Sequence, residues 1–287
     1  MTRDLLDEII FKTFSNPYLD KKHDGSVVKI EGEIAISTDS FVISPIFFKG
    51  GNIGELAVNG TVNDVAMCGA QPKYLSLAFI VEEGMKVEDF VKIVKSIKET
   101  ADNSGVQIIT GDTKVVERGK GDEIFINTTG FGPVNPKGHI SADNIKVGDK
   151  IIVNGFIAQH GMAIMSQREG LEFESTIESD TTNLNFIAND LINEFELGIH
   201  LYRDATRGGL ASVLTEIATD INRGVSINEN DLPLDKQVAA ACEILGLDPL
   251  YVANEGVFLA IVDSEIAESV VDFMRNDEKG KYAVCIG

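Results

Sequence analysis

Apolar side chains recur along this chain at two alternating periods. Leu5, Leu6, Ile9, Ile10 and Phe14 fall at helical spacing and predict a helix over Leu5–Phe14, ending near Asn16-Pro17. After a loop containing Lys21-Lys22-His23-Asp24-Gly25, short strand-like runs follow at Glu33–Ile36 and Phe41–Ser44. Gly50-Gly51-Asn52-Ile53-Gly54 then opens a helix whose Ile53, Leu56, Ala57 and Val65 form one stripe. Its glycine-rich start leaves backbone N–H groups able to face an anion. Tyr74–Val81 reads as a buried strand, Val87–Ala101 as an amphipathic helix, and Val106–Thr110 and Glu123–Gly130 as further strands.

Gly132-Pro133-Val134-Asn135-Pro136-Lys137-Gly138 is dense in turn formers and marks a linker, dividing the chain into domains at 1–136 and 137–287. Beyond it the pattern predicts a strand at Lys150–Val153, a helix at Ala158–Gln167 and a helix led by Asp204–Gly209, with Leu210, Val213, Leu214 and Ile217 as its stripe. Strands at Leu250–Ala253 and Val257–Val262, a helix at Glu265–Met274 and a last strand at Tyr282–Ile286 complete the series. Helices alternating with strands give an α/β (α+β) class.

Composition is ordinary for a globular protein, at 44% hydrophobic and 24% charged residues, but the formal net charge of −20 is not. A field of that sign repels nucleic acid and anionic membrane surfaces and excludes a basic-groove binder. No apolar run approaches the ~18 residues of a membrane span. Cys68, Cys242 and Cys285 are odd in number and widely spaced, which fits a reducing compartment and a cytoplasmic protein rather than a disulfide scaffold. Cys68 and Cys285 sit in apolar sequence and read as small buried hydrophobes.

Three stretches set an aspartate among polar neighbours: Ser37-Thr38-Asp39-Ser40, Val62-Asn63-Asp64-Val65 and Thr110-Gly111-Asp112-Thr113-Lys114. Two of them follow strand-like runs, and strand ends of open α/β sheets are common ligand sites. Carboxylates and hydroxyls there suit ATP held through Mg²⁺, because hard cations bridge oxygen ligands to phosphate. Asp beside Ser, Thr and Gly is equally a capping or turn residue. Asp64 resists that explanation, since it falls inside a helix where capping has no place. Lys114 at a strand end reaches a phosphate or acts as an acid or base, or is a solvated surface lysine. In Arg203-Asp204-Ala205-Thr206-Arg207-Gly208-Gly209, Asp204 or Thr206 caps a helix and Arg207 offers a bidentate fork to an anion, while the glycines permit close approach. Glu255, in Asn254-Glu255-Gly256 between two apolar runs, is costly to bury unless paired, metal-bound or used as a proton acceptor. His160 stays outside the catalytic set.

Taken together, these stretches resemble the HypE family of hydrogenase maturation proteins, within the AIR synthase-related (PurM-like) superfamily. The match continues through Phe47–Gly54, Gly111–Val116, Phe125–Thr128, Arg203–Gly209 and Tyr251–Gly256 and covers nearly the whole chain. The resemblance implies two α/β domains, the first pairing its sheet with a second copy in a homodimeric barrel. It implies ATP-dependent dehydration of a carbamoylated C-terminal cysteine to a thiocyanate. HypF would be the carbamoyl donor, and a HypC–HypD complex would accept the cyanide for the iron of NiFe hydrogenase. It also implies that Asp39, Asp64 and Asp112 hold Mg²⁺ and phosphates. Thr38, Asn63, Thr113, Arg207 and Asn254 would join them around the nucleotide, with Lys114 and Glu255 facing the thiocarboxamide and Glu255 taking its proton.

The family pattern starts with a Gly-Ser-Gly-Gly stretch and finishes in Pro-Arg-Ile-Cys, whereas this sequence runs from Met1-Thr2-Arg3 to Cys285-Ile286-Gly287 and has Gln159 where Asp is common. The expectation is therefore an ATP-binding core that does not complete the reaction alone. The alternatives are a non-catalytic dimeric scaffold for the other maturation proteins, or a related ATP-dependent activity such as selenophosphate synthetase, AIR synthase or thiamine-monophosphate kinase.

Overall fold

In a computed structural model describing residues 7–21, 24–168, 170 and 177–287, two four-stranded sheets are joined through one long helix that both halves enclose. The first sheet contains β1 (Ile34–Phe41), β4 (Tyr74–Glu82), β5 (Gln107–Val116) and β6 (Ile124–Pro133), in the order β1-β6-β4-β5. A two-stranded hairpin, β2 (Phe47–Phe48) and β3 (Gly51–Asn52), lies between β1 and α1 (Ile53–Met67). Only β4 and β5 run parallel, joined by the crossover helix α2 (Val87–Asn103); the other pairs are antiparallel.

The second sheet contains β7 (Lys150–Val153), β8 (Ile199–Asp204), β9 (Phe258–Val262) and β10 (Val284–Cys285), in the order β10-β7-β9-β8 and antiparallel throughout. Its helices are α3 (Gln159–Arg168), α4 (Asn185–Phe195), α5 (Gly209–Asp220), α6 (Lys236–Leu245) and α7 (Ala267–Arg275).

The α1 helix has no solvent stripe. Twelve of its residues are buried, on every face, as expected of a helix enclosed on all sides. Asn52 caps it, accepting the N–H groups of Gly54 (2.9 Å) and Glu55 (3.3 Å). Its middle packs under the first sheet through Val58 and Val62, and its end, Ala66 and Met67, joins a cluster containing Leu184, Ile187, Leu191 and Tyr202 from the second half.

Several expectations are corrected. Glu33–Ile36 and Phe41–Ser44 are not two strands: the ladder Ile34↔Pro133 to Phe41↔Ile126 runs unbroken through Ser37–Ser40 as one strand, and Val42–Ser44 lie beyond it. Asp39 and Asp112 therefore lie inside strands, not beyond their ends. Leu250–Ala253 is no strand: Asp248 accepts the Leu250 N–H (2.9 Å) and starts a 3₁₀ turn at Pro249. Gly132-Pro133 belongs to β6, so the turn-rich linker begins at Val134. Neither Asp204 nor Thr206 caps α5, whose N-cap is Gly208 at φ +70°. Cys68 is exposed at the end of α1, while Cys285 is half-buried. Of the Leu5–Phe14 helix, residues 7–14 are helical and 1–6 lie outside the described residues, as do Lys22 and His23.

The halves are tied by side-chain amides as well as by apolar contact. Asn63 donates to the Thr182 carbonyl (2.9 Å) and accepts the Leu184 N–H (2.7 Å). Asn63→Ala leaves two buried backbone groups unpaired and is expected to cost about 2–4 kcal/mol in chemical denaturation; a loss below about 0.5 kcal/mol contradicts this role for the amide.

Candidate functional site

A cavity of about 1140 Å³ opens where β1 and α1 face α3, the end of β8, the start of α5 and the 246–255 segment. Both halves contribute to it: Thr38, Asp39, Phe41, Leu56 and Asp64 from the first, and His160, Asp204, Thr206, Arg207 and Glu255 from the second.

Backbone register explains how the first acids arrive there. In β1, Ser37 and Asp39 pair with Gly130 and Thr128, so they point to the face that α1 covers. Thr128 is buried there, hydrogen bonded to Thr61 (2.5 Å) and the Ala57 carbonyl (3.0 Å) of α1. Ser37 Oγ donates to Asp64 Oδ2 at 2.7 Å, joining β1 to α1 at the cavity floor. From the other side, Asp204 stands at the end of β8. The following chain folds back tightly at Gly208 and Gly209, where a Cβ on Gly209 would strike the Leu250 carbonyl oxygen.

The site concentrates like charge in a poorly solvated space. Burial raises the Asp64 carboxyl to about 6, with Asp204 and Asp39 adding repulsion; the Ser37 bond and Arg207 act against it. Burial likewise pushes Asp204 up. Glu255 rises furthest, first by burial and then through Asp180, Asp204, Asp39 and Asp64. His160 is pushed down to about 4 by burial and Arg168, so it is neutral at physiological pH, its Nδ1 2.8 Å from Ser179 Oγ.

Of the residues singled out in the sequence, Thr38, Asp39, Asp64, Arg207 and Glu255 meet at this cavity. The remainder do not. Asn63 is consumed by the bonds to Thr182 and Leu184. Asn254 is fully buried, accepting the Ala158 N–H (2.6 Å) and donating to the Ala205 (2.7 Å) and Val252 (3.2 Å) carbonyls. Asp112 and Lys114 pair with each other at 2.8 Å, exposed on β5 at the opposite edge of the first sheet. Asp112 shares its register with Ala78 and Asn127, and so stands on the sheet face turned away from α1. Thr113 lines a small apolar pocket beside Phe14 and Leu19.

Within one chain, then, Asp39, Asp64 and Asp112 do not converge, and no group of three acidic, histidine or cysteine side chains suited to a metal occurs among the described residues. Asp204 was legible only as a cap, because His200 interrupts the apolar run that would have announced β8. Among the described residues no helix is long and apolar enough to cross a membrane.

Residues 22–134 match the family of AIR synthase related proteins, N-terminal domain, and residues 146–287 match the corresponding C-terminal domain family. Carbamoyl dehydratase HypE of Azotobacter vinelandii is 46% identical over 284 residues, 99% of this chain and 83% of that protein. This chain belongs to the HypE family. A crystal structure of hydrogenase maturation protein HypE in complex with ATP superposes with a TM-score of 0.96 at 43% identity, covering 99% of this chain and 84% of that one. HypE in a HypE–HypF complex gives 0.87 at 46% identity, covering 99% and 92%. The two-domain α/β architecture expected for the HypE family is the one observed.

The raised carboxyl of Asp64 has a measurable sign. Native Asp64 holds its proton to about 6, against 3.8 for an ordinary aspartate. Its contribution to stability is therefore complete below pH ~3.8 and is lost as pH rises through 6. Asp64→Asn keeps an oxygen for Ser37 and removes the charge. In the metal-free protein it is expected to raise stability by about 1–3 kcal/mol at pH 8 and to give no gain at pH 4; a lower melting temperature at pH 8 contradicts the repulsion.

Proposed function

We infer that this chain is an ATP-dependent carbamoyl dehydratase, converting the S-carboxamide of a cysteine to a thiocyanate for the cyanide ligand of NiFe-hydrogenase iron. The observation carrying this reading is the two-sided cavity that gathers Asp39, Asp64, Asp204 and Glu255 with Arg207, in a family one of whose members is known in complex with ATP.

The donor set supports Mg²⁺. Two carboxylates, Asp39 and Asp64, offer only hard oxygens, and Mg²⁺ is usually held by one or two carboxylates with substrate phosphates completing its shell. Bound there, it would offset the charge of the acids and of the phosphates they would otherwise repel. Of the three arginines at the cavity, Arg203 pairs with Glu216 and Arg168 donates to the Ser44 carbonyl, while Arg207 offers a planar fork to phosphate.

In the reaction, the carboxamide oxygen attacks the γ-phosphorus of ATP and the bond to ADP breaks. The phosphorylated intermediate then loses phosphate as its C–O bond breaks, and nitrogen, having given up both protons over the two steps, is left triply bonded to carbon. Glu255 is placed to take one of those protons. Because burial and its neighbours raise its pKa, its ionised form is a stronger base than an ordinary glutamate.

A homodimer accounts for the face of the first sheet that α1 and α2 leave open. Ile34, Ile36 and Ile80 are 50%, 68% and 43% exposed on that face, an apolar surface of the kind that marks an interface. A second copy closing this face into a barrel, with its β5 beside β1 of the first, would set the strand that carries Asp112, Thr113 and Lys114 next to the strand that carries Asp39 of its neighbour. In this reading 1–136 is the dimerising, nucleotide-holding domain and 137–287 supplies Glu255. HypF, found in complex with a relative, is the carbamoyl donor, a HypC–HypD complex the acceptor, and the cytoplasm the place.

The test supplies a carbamoylated cysteine peptide ending in Pro-Arg-Ile-Cys and follows phosphate release. Peptide-dependent ATP cleavage is expected. It should fall by about 10²–10⁴ in Glu255→Gln, and be lost in Ile36→Glu, which sedimentation should show as a monomer. Full turnover in Glu255→Gln removes Glu255 from the chemistry. Partner binding without any peptide-dependent cleavage makes the chain a scaffold instead.

A further inference from the structure

Behind Glu255 lies an aspartate that the reaction as described does not use. Asp180 belongs to the segment 177–184, which threads between the halves and is bonded on both sides. Toward the first half, the Ser179 N–H donates to the Lys49 carbonyl (2.9 Å), Asn59 reaches Thr181 Oγ1 (3.4 Å), and Asn63 holds Thr182 and Leu184. These two asparagines lie on α1 within five residues of Asp64. Toward the second half, the Asp180 carboxylate accepts the Glu255 N–H at 3.2 and 3.3 Å and the Gly256 N–H at 3.0 Å. The His160 backbone, at the start of α3, also acts to hold the Asp180 carboxyl down against the effect of burial. The fit is close: a Cβ on Gly256 would strike the Asp180 carbonyl oxygen, so only glycine lets the two backbones meet.

Asp180 is absent from the cavity wall, whereas Glu255 forms part of it. A carboxylate that spends both oxygens on consecutive backbone N–H groups fixes the peptide plane from which the next side chain departs. Such charge-assisted bonds are about twice as strong as neutral ones. Here that side chain is Glu255, and the same segment is pinned to α1 beside Asp64. One short run of chain thus sets the proton acceptor and a phosphate-side carboxylate relative to each other, although they belong to different halves of the chain.

We propose that Asp180 is a positioning residue for Glu255, holding the Glu255-Gly256 backbone so that the glutamate enters the cavity in register with Asp64. The proposal rests on the catalytic reading of Glu255. Beyond its geometric role, Asp180 is the neighbouring charge that raises Glu255 most, after burial and ahead of Asp204, Asp39 and Asp64.

The experiment compares Asp180→Ala, Asp180→Asn, Glu255→Gln and the Asp180→Ala/Glu255→Gln double variant. Each is assayed for peptide-dependent ATP cleavage, calorimetric ATP affinity with Mg²⁺, and hydrogen exchange of the Glu255 and Gly256 amides. Asp180→Ala is expected to lower kcat about 10–100-fold with ATP affinity within about threefold, and to speed exchange at those two amides. Asp180→Asn, which keeps one oxygen for an N–H, should recover most of the rate. The double variant should be no slower than Glu255→Gln alone, because both changes remove one function.

Wild-type turnover in Asp180→Ala beside an inactive Glu255→Gln overturns the proposal. So does a loss of ATP affinity parallel to the loss of rate, with the two effects multiplying in the double variant. If Glu255→Gln is fully active, it is the catalytic reading that fails. The amide exchange then still decides the positioning: unchanged exchange in both Asp180 variants refutes it. Should Asp180→Ala not fold, exchange and turnover in Asp180→Asn carry the same test.

Discussion

A helix that is buried all round has to be enclosed all round, and the architecture of this chain follows from meeting that condition for α1. One side is closed by the first sheet, through contacts such as Thr61 to Thr128. The far end is closed by α4 and β8 of the second half, through Ala66 and Met67 against Leu191 and Tyr202. Neither half encloses α1 alone. The polar positions on α1 are consequently seams: Asn59 and Asn63 bind the 177–184 segment, and Asp64 is left facing the space between the halves.

That placement is costly in the empty protein and useful in the filled one. Asp64, Asp204 and Glu255 sit where water screens them poorly, and Asp39, Asp64 and Asp204 raise the proton affinity of acids beside them. Stability given up at a site in exchange for function is a common trade. Here it has an electrostatic form: the carboxylates await a cation and, through it, a polyphosphate. A chain carrying −20 overall has few other means of drawing ATP inward, apart from Arg168, Arg203 and Arg207 at the cavity.

How much of this was legible in the sequence depends on the range of the forces involved. Tyr74–Glu82 and Val87–Asn103 announce themselves by period, because each has one buried and one wetter face. The α1 helix was found, but its single predicted stripe was too modest, since enclosure by a distant half of the chain leaves no local trace. β8 was missed because His200, buried against Asp149 at 2.7 Å, breaks the apolar run. Ser37–Ser40 looked like a loop beyond a strand, because polar residues in an edge strand carry no signal of pairing. Asp64 was recoverable as a misplaced acid and Glu255 as a costly one, and Asp39 only as an aspartate among polar neighbours beside a strand. Asp112 was not separable from them, because which sheet face a residue occupies follows from register, and register is a long-range property. Asp180 gave no signal: its role is to accept two N–H groups from a segment 75 residues away.

The central claim is that the acids between the two halves form a nucleotide site that works only through a divalent cation. Titration calorimetry with ATP, with and without Mg²⁺, tests it most directly. The account predicts binding with Mg²⁺ and a loss of at least about 100-fold without it, since uncompensated phosphates would meet at least three carboxylates in a weakly screened cavity. Equal affinity in EDTA would contradict it and leave the carboxylates without the task assigned to them.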